Sequence, residues 1–203
     1  MATVDRVNAG LRKVPAWVLY LIGPLPALWL FWLATTGGLG ADPVKALEHE
    51  IGKIGLQLLV AVLCVTPLRR HAGLNLMKFR RAIGLLAFVY VVLHFLAWLV
   101  LDMGLLWAQA AGDIVKRPYI TIGMAGLVML IPLAATSNDW AMRELGGARW
   151  RKLHRLTYLA VLAGAIHYVW LVKAWPVEPF LYLAAVIALL ALRTIQRGRR
   201  VAA

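Results

Sequence analysis

Six apolar runs alternate with short polar stretches rich in Lys and Arg. They are "PAWVLYLIGPLPALWLFWLA" (15–34), "IGKIGLQLLVAVLCVTPL" (51–68), "AIGLLAFVYVVLHFLAWLVL" (82–101), "PYITIGMAGLVMLIPLAA" (118–135), "LHRLTYLAVLAGAIHYVWLV" (153–172) and "PFLYLAAVIALLALRTI" (179–195). Each approaches the ~20 residues that a helix needs to cross a hydrocarbon core; the last is the weakest. The pattern predicts an all-α polytopic membrane protein, a six-transmembrane-helix bundle in a single transmembrane domain, 1–203. Pro24 and Pro26 predict a kink in the first helix and Pro132 one in the fourth. Pro118 and Pro179 fall at helix starts, where a missing N–H costs nothing. The longest connections, at 35–50, 102–117 and 136–152, leave no room for a soluble domain. No GxGxxG, Walker sequence, internal repeat or low-complexity tract is evident.

Composition agrees. Apolar residues make up 62% of the chain and charged residues only 15%, against ~25% charged in soluble domains. Nine Trp suit membrane interfaces, where the ring is buried and its N–H stays wet. The lone Cys64 excludes a disulfide framework and a thiolate metal cluster. The net charge of +13 is not one patch, which argues against a nucleic-acid partner. Of the 22 Lys and Arg, 17 lie at the N-terminus, the C-terminus, and in the second–third and fourth–fifth connections. Lys45, Lys53, Lys116, Arg117 and Lys173 make up the other side. Positive charge marks the cytoplasm, so both termini are expected there. The first run exceeds the 7–15 residues of a signal-peptide core and is read as a retained helix.

Five histidines are candidates for chemistry. His49, in "LEHE", reads as a solvated residue of the outer connection, and His71, in "LRRHAG", as a solvated or headgroup-facing residue of the cytoplasmic one. His94 and His167 lie inside apolar runs, where an ionisable group is expensive unless something engages it. The third and fifth helices run in the same direction. His94 lies about seven residues from the outer end of its helix and His167 about five, so their depths agree within roughly 3 Å. Two imidazoles at one depth can clamp a metal between two helices. Bare zinc wants three or four protein ligands, and no Cys, Asp or Glu lies at that depth. Haem wants only two axial ligands, so a low-spin bis-histidine haem fits better. The alternative is that the two histidines make separate interhelical hydrogen bonds.

His154 lies thirteen residues before His167 on the fifth run, about 20 Å of helical rise towards the cytoplasm. One helix would carry a ligand near each membrane face. On an ideal helix the two side chains are roughly 140° apart, so a bend near Gly164 or a different partner direction is required. The positions thirteen and fourteen before His94 are Arg81 and Arg80, neither an ordinary iron ligand. An interfacial role for His154 beside Arg151, Lys152 and Arg155 is the alternative. Most of the cytoplasmic cations, Arg80, Arg81, Arg149, Arg151, Lys152 and Arg155 among them, need no explanation beyond topology. The further reading is contact with haem propionates, a flavin phosphate or an acidic partner. Trp98, Trp150, Tyr158, Tyr168 and Trp170 read as belt or packing residues.

Taken together, His94 on the third helix and His154 and His167 on the fifth resemble the ferric reductase-like transmembrane domain shared by NADPH oxidases and metalloreductases, with its core at about 51–195. The stretches "RRHAGLNLMKFRRAIGLLAFVYVVLHFLAWL", "KRPYITIGMAGLVMLIPLAATS" and "WRKLHRLTYLAVLAGAIHYVWLVK" are similar to the MsrQ (YedZ) subfamily of haem-binding membrane subunits. The resemblance implies b-type haem, one or two, on His94, His154 and His167, and FMN as a second cofactor. His71, Arg80 and Arg81 are candidate cofactor contacts by their cytoplasmic position, not by the resemblance. The resemblance also implies a non-catalytic electron-transfer subunit in the bacterial inner membrane. The donor would be the quinone pool or a cytoplasmic flavin reductase, and the acceptor a periplasmic molybdopterin methionine-sulfoxide reductase of the MsrP type. NADPH oxidases carry a fourth ligand histidine near Arg80 and a fused flavin–nicotinamide domain; neither occurs here. Two other readings stand beside this one: a stand-alone ferric or quinone-linked cytochrome reductase, and a non-redox transporter or assembly protein with structural histidines.

Overall fold

The computed structural model describes the backbone of residues 2–172 and 176–201 and the side chains of 3–172 and 176–193. Lys173 and the side chains of Arg197, Arg199 and Arg200, used above to assign sides, lie outside the described residues. Regular structure among the described residues is entirely helical. The chain divides into two compact units, Met1–Asp113 and Ile114–Ala203.

The first unit begins with α1 (Ala2–Lys13), a polar helix. Asn8 ties it to the loop after α4: its amide donates to the Gly73 carbonyl at 2.9 Å, and its oxygen accepts from the Asn75 N–H at 2.9 Å. The first apolar run forms α2 (Val18–Ile22) and α3 (Leu25–Thr35), divided at Gly23–Pro24. The kink thus falls at Pro24, while Pro26 sits in the first turn of α3, where it does no harm. The Tyr90 hydroxyl fills the gap. It accepts from the Ala27 N–H at 3.2 Å and donates to the Gly23 carbonyl at 2.7 Å. These are the two groups that an unbroken helix would pair with each other.

Helix α4 (Pro43–His71) has 29 residues and starts eight residues before the apolar run. Asp42 explains the early start, because its carboxylate accepts from the Lys45 N–H at 3.2 Å and Pro43 opens the first turn. That bond holds the Asp42 carboxyl below its ordinary range. At about 1.5 Å per residue α4 is roughly 43 Å long, more than the ~30 Å core needs. A single 3-10 turn (Met77–Phe79) leads into α5 (Arg80–Leu96), which returns antiparallel along α4. Leu47 and Ile51 of α4, Tyr90 of α5 and Ala27 of α3 form a buried cluster. After α5 the chain continues as a π-helical stretch, Ala97–Asp102.

Helix α6 (Trp107–Lys116) follows and runs across the division between the units. In the second unit, α7 (Pro118–Ala135) has its proline at the expected start, and Pro132 lies in its last turn rather than dividing it. Helix α8 (Asp139–Leu153) is capped by Asn138 and interrupted at Gly146, whose φ is +70°. Helix α9 (Leu156–Leu171) packs antiparallel against α7, and α10 (Val177–Val201) packs on α9.

Four of the six expected spans are helices long and apolar enough to cross a membrane: Val18–Thr35, Pro43–His71, Met77–Asp102 and Pro118–Ala135. The fifth is the shorter apolar helix Leu156–Leu171, and the sixth falls on α10. Many side chains of the first span, including Trp17, Leu21, Leu28, Trp29 and Trp32, are exposed. A multi-pass protein in lipid presents such a surface.

Candidate histidine sites

His94 is half-buried, in the last turn of α5, one residue pair before the π-helical stretch. Its Nδ1 lies 2.9 Å from the Glu48 carbonyl oxygen of α4. A carbonyl can only accept, so Nδ1 carries the proton, and the lone pair of the neutral ring is on Nε2. The approach depends on Gly52. A side chain four residues on in a helix leans back over the carbonyl it follows; a Cβ on Gly52 would stand 2.8 Å from His94 Nδ1. In the π stretch that follows, Ala97, Trp98 and Leu99 are buried. Such π segments are rare and occur often at functional sites.

His167, half-buried in α9, repeats this arrangement in the second unit. Its Nδ1 lies 2.7 Å from the Tyr119 carbonyl oxygen of α7. Gly123, four residues after Tyr119, leaves the space, and a Cβ there would stand 2.9 Å from Nδ1. The neutral ring again has its lone pair on Nε2.

His154 differs. It is not part of the helix that carries His167: α8 ends at Leu153, His154 and Arg155 form a turn, and α9 starts at Leu156. The helical break lies at His154–Arg155, and α9 is continuous through Gly164. "LHRL" contains neither Pro nor Gly, so composition did not mark the break. His154 Nε2 lies 3.1 Å from Thr136 Oγ1, whose single proton is donated to the Pro132 carbonyl at 2.6 Å. Nε2 is therefore the donor, and the lone pair of the neutral ring is on Nδ1, opposite to His94 and His167. The ring stacks on Trp150, with centroids 3.8 Å apart, and the Trp150 indole N–H donates to the Thr136 carbonyl at 2.8 Å.

His71 ends α4 and is exposed; Arg80, half-buried, and Arg81, exposed, begin α5. They share the first unit with His94 but lie at the far end of the α4–α5 pair, about 20 Å of rise away. The structure does not bring these three to His94. His49 is exposed, as the solvated reading has it. In the second unit, Arg193 of α10 donates to the Tyr158 hydroxyl at 2.6 Å and lies over its ring; neither residue stood out as a site residue in the sequence. Among the described residues no three His, Cys, Asp or Glu side chains gather as a metal site. A histidine outside such a cluster suits a metal that brings its other ligands with it.

Glu48, Gly52, Tyr119 and Gly123 were not singled out from the sequence. One signal was present. "IGKIG" (51–55) and "IGMAG" (122–126) share an Ile-Gly-x-x-Gly pattern, and in each the first glycine faces a histidine.

The family model described as "Ferric reductase like transmembrane component" matches residues 50–165. A protein of Brucella anthropi named "Protein-methionine-sulfoxide reductase heme-binding subunit MsrQ" is 50% identical over 184 residues, 91% of this chain and 83% of the relative. Proteins of the same name from Brucella ovis and Brucella suis are 51% identical over 174 residues, 86% of this chain and 79% of each relative.

Proposed function

This chain belongs to the ferric reductase-like transmembrane family, and from that premise we propose that it is the haem-binding membrane subunit of a protein-methionine-sulfoxide reductase system. The observation that carries the reading is the repeated histidine geometry. In each unit one imidazole in an apolar helix has its Nδ1–H held by a helix carbonyl, the arrangement that would present Nε2 to a haem iron.

His94 and His167 are the proposed haem b ligands, on the matching depths that the sequence gives them. The group supplies one-electron reduction and reoxidation of its iron. The Glu48 and Tyr119 carbonyls orient the two rings and set their protonation. Haem held by two histidines would carry electrons rather than bind a substrate, the role of an electron-transfer subunit. His154 belongs to the cytoplasmic side, where a second haem would enter. His71, Arg80 and Arg81 are proposed contacts there, for a propionate or a docking donor. FMN is carried by the family resemblance, without a residue assigned to it.

The proposed topology has six spans, with α9 and α10 as the fifth and sixth, both termini in the cytoplasm and the chain in the bacterial inner membrane. Electrons would enter from the quinone pool or a cytoplasmic flavin reductase and leave to a periplasmic molybdoenzyme of the MsrP type. The test uses the purified chain, reduced and freed of excess reductant. Adding the periplasmic enzyme with methionine sulfoxide should reoxidise it, whereas enzyme or methionine sulfoxide alone should not. A chain that stays reduced with both present, although loaded with haem, is not that enzyme's donor.

A further inference from the structure

We infer that Gly52 with the Glu48 carbonyl, and Gly123 with the Tyr119 carbonyl, are paired positioning devices that fix the ring plane and protonation of His94 and His167 for ligation and thereby tune the potential of the bound iron. The inference rests on the ligand reading above.

Two independent copies carry it. In both, the accepting carbonyl and the glycine are four residues apart on one helix. In both, the three atoms nearest to a Cβ on the glycine are Nδ1, Cε1 and Cγ of the histidine, at 2.8–3.2 Å for Gly52 and 2.9–3.3 Å for Gly123. Neither glycine has a positive φ, so backbone freedom is not the reason for it. Ordinary helix packing is not the reason either, because other glycines fill that role. Gly55 and Gly126, three residues further on, face Val91 and Tyr90, and Ala160 and Ala163, respectively. His154, which has no such glycine, is held through the opposite ring nitrogen.

The physical consequence is direct. An Nδ1–H bonded to a carbonyl makes the imidazole a more electron-rich ligand, which favours ferric iron. A methyl at Gly52 or Gly123 pushes the ring off the carbonyl. Haem affinity should then fall by about 10–100-fold, the usual effect of losing a group that orients a metal ligand. The midpoint potential of the retained haem should rise, and its low-spin EPR g-values should move as the ring plane turns.

The experiment compares Gly52→Ala and Gly123→Ala with Gly126→Ala, where a Cβ meets its nearest neighbours at 3.7 Å, and with the full native chain. Haem affinity, EPR spectrum and midpoint potential are measured for each. The first two variants should change in all three, and Gly126→Ala in none. If Gly52→Ala does not accumulate in the membrane, the double variant Gly52→Ala/His94→Ala decides. Removing the ring removes what the methyl strikes, so accumulation should return; a double variant that is still absent overturns the inference. Gly52→Ala and Gly123→Ala that match Gly126→Ala also overturn it, while leaving the ligand reading intact. His94→Ala and His167→Ala that keep full haem would instead remove the reading on which it rests.

Discussion

The imidazole of His154 lies flat against the indole of Trp150, with ring centroids 3.8 Å apart, and donates through Nε2 to Thr136. This corner joins the end of α7 to the turn before α9 and is separate from the Nδ1–carbonyl arrangement of His167 in the same unit. Thr136→Val keeps the side-chain shape but leaves the half-buried Nε2–H without its acceptor. It should cost about 1 kcal/mol, read as a lower apparent Tm of the purified protein. His154→Ala should leave the spectral signature of the His94 and His167 haem in place. Complete bleaching of that variant would mean that His154 supports the same haem.

Tyr90 is 1% exposed, and its hydroxyl stands between the Ala27 N–H and the Gly23 carbonyl. Tyr90→Phe removes it and leaves two backbone groups unpaired in apolar surroundings. A loss of about 1–3 kcal/mol is expected, again read as a fall in apparent Tm. An unchanged Tm would mean that the helix closes over the break by itself.

Asn8 carries the polar link between α1 and the loop at Gly73–Asn75. Asn8→Ala should free α1 and speed tryptic cleavage at Arg6 and Arg12 about fivefold, as expected for a loss near 1 kcal/mol. With the N-terminus in the cytoplasm, that cleavage should occur in inside-out vesicles and not in right-side-out ones. The reverse pattern would invert the proposed topology.

Asp42 caps α4, and its carboxyl is held below its ordinary range by the Lys45 N–H. A depressed folded pKa stabilises above the unfolded pKa and loses that stabilisation as pH falls through the folded value. Lys45 amide protection should therefore exceed that of Asp42→Ala at about pH 6, and the gap should close below about pH 4. A gap that persists in acid would mean that the cap does not depend on the charge.

How much of this was legible beforehand depended on what kind of interaction was involved. Apolar runs show in composition, so four of the spans and the Pro24 break could be read directly. The early start of α4 depended on one capping Asp, which an apolar count does not weigh. The break at His154 occurs without Pro or Gly, where the His154 ring meets Thr136 at the end of α7 and Trp150 one turn back. The histidines stood out because a polar ring in an apolar run is costly. Their partners did not, because a backbone carbonyl has no sequence identity and a glycine in a helix has several roles. Only the register between α4 and α5, and between α7 and α9, shows which glycine faces a ring.

The most direct test of the central claim is haem quantitation with low-temperature absorption spectra of His94→Ala, His167→Ala and His154→Ala, each purified from haem-replete membranes. His94→Ala and His167→Ala should each lose the low-spin haem signal that the native chain and His154→Ala retain. If both keep full haem content with an unshifted spectrum, these two histidines are not the ligands, and the proposed function loses the observation that carries it.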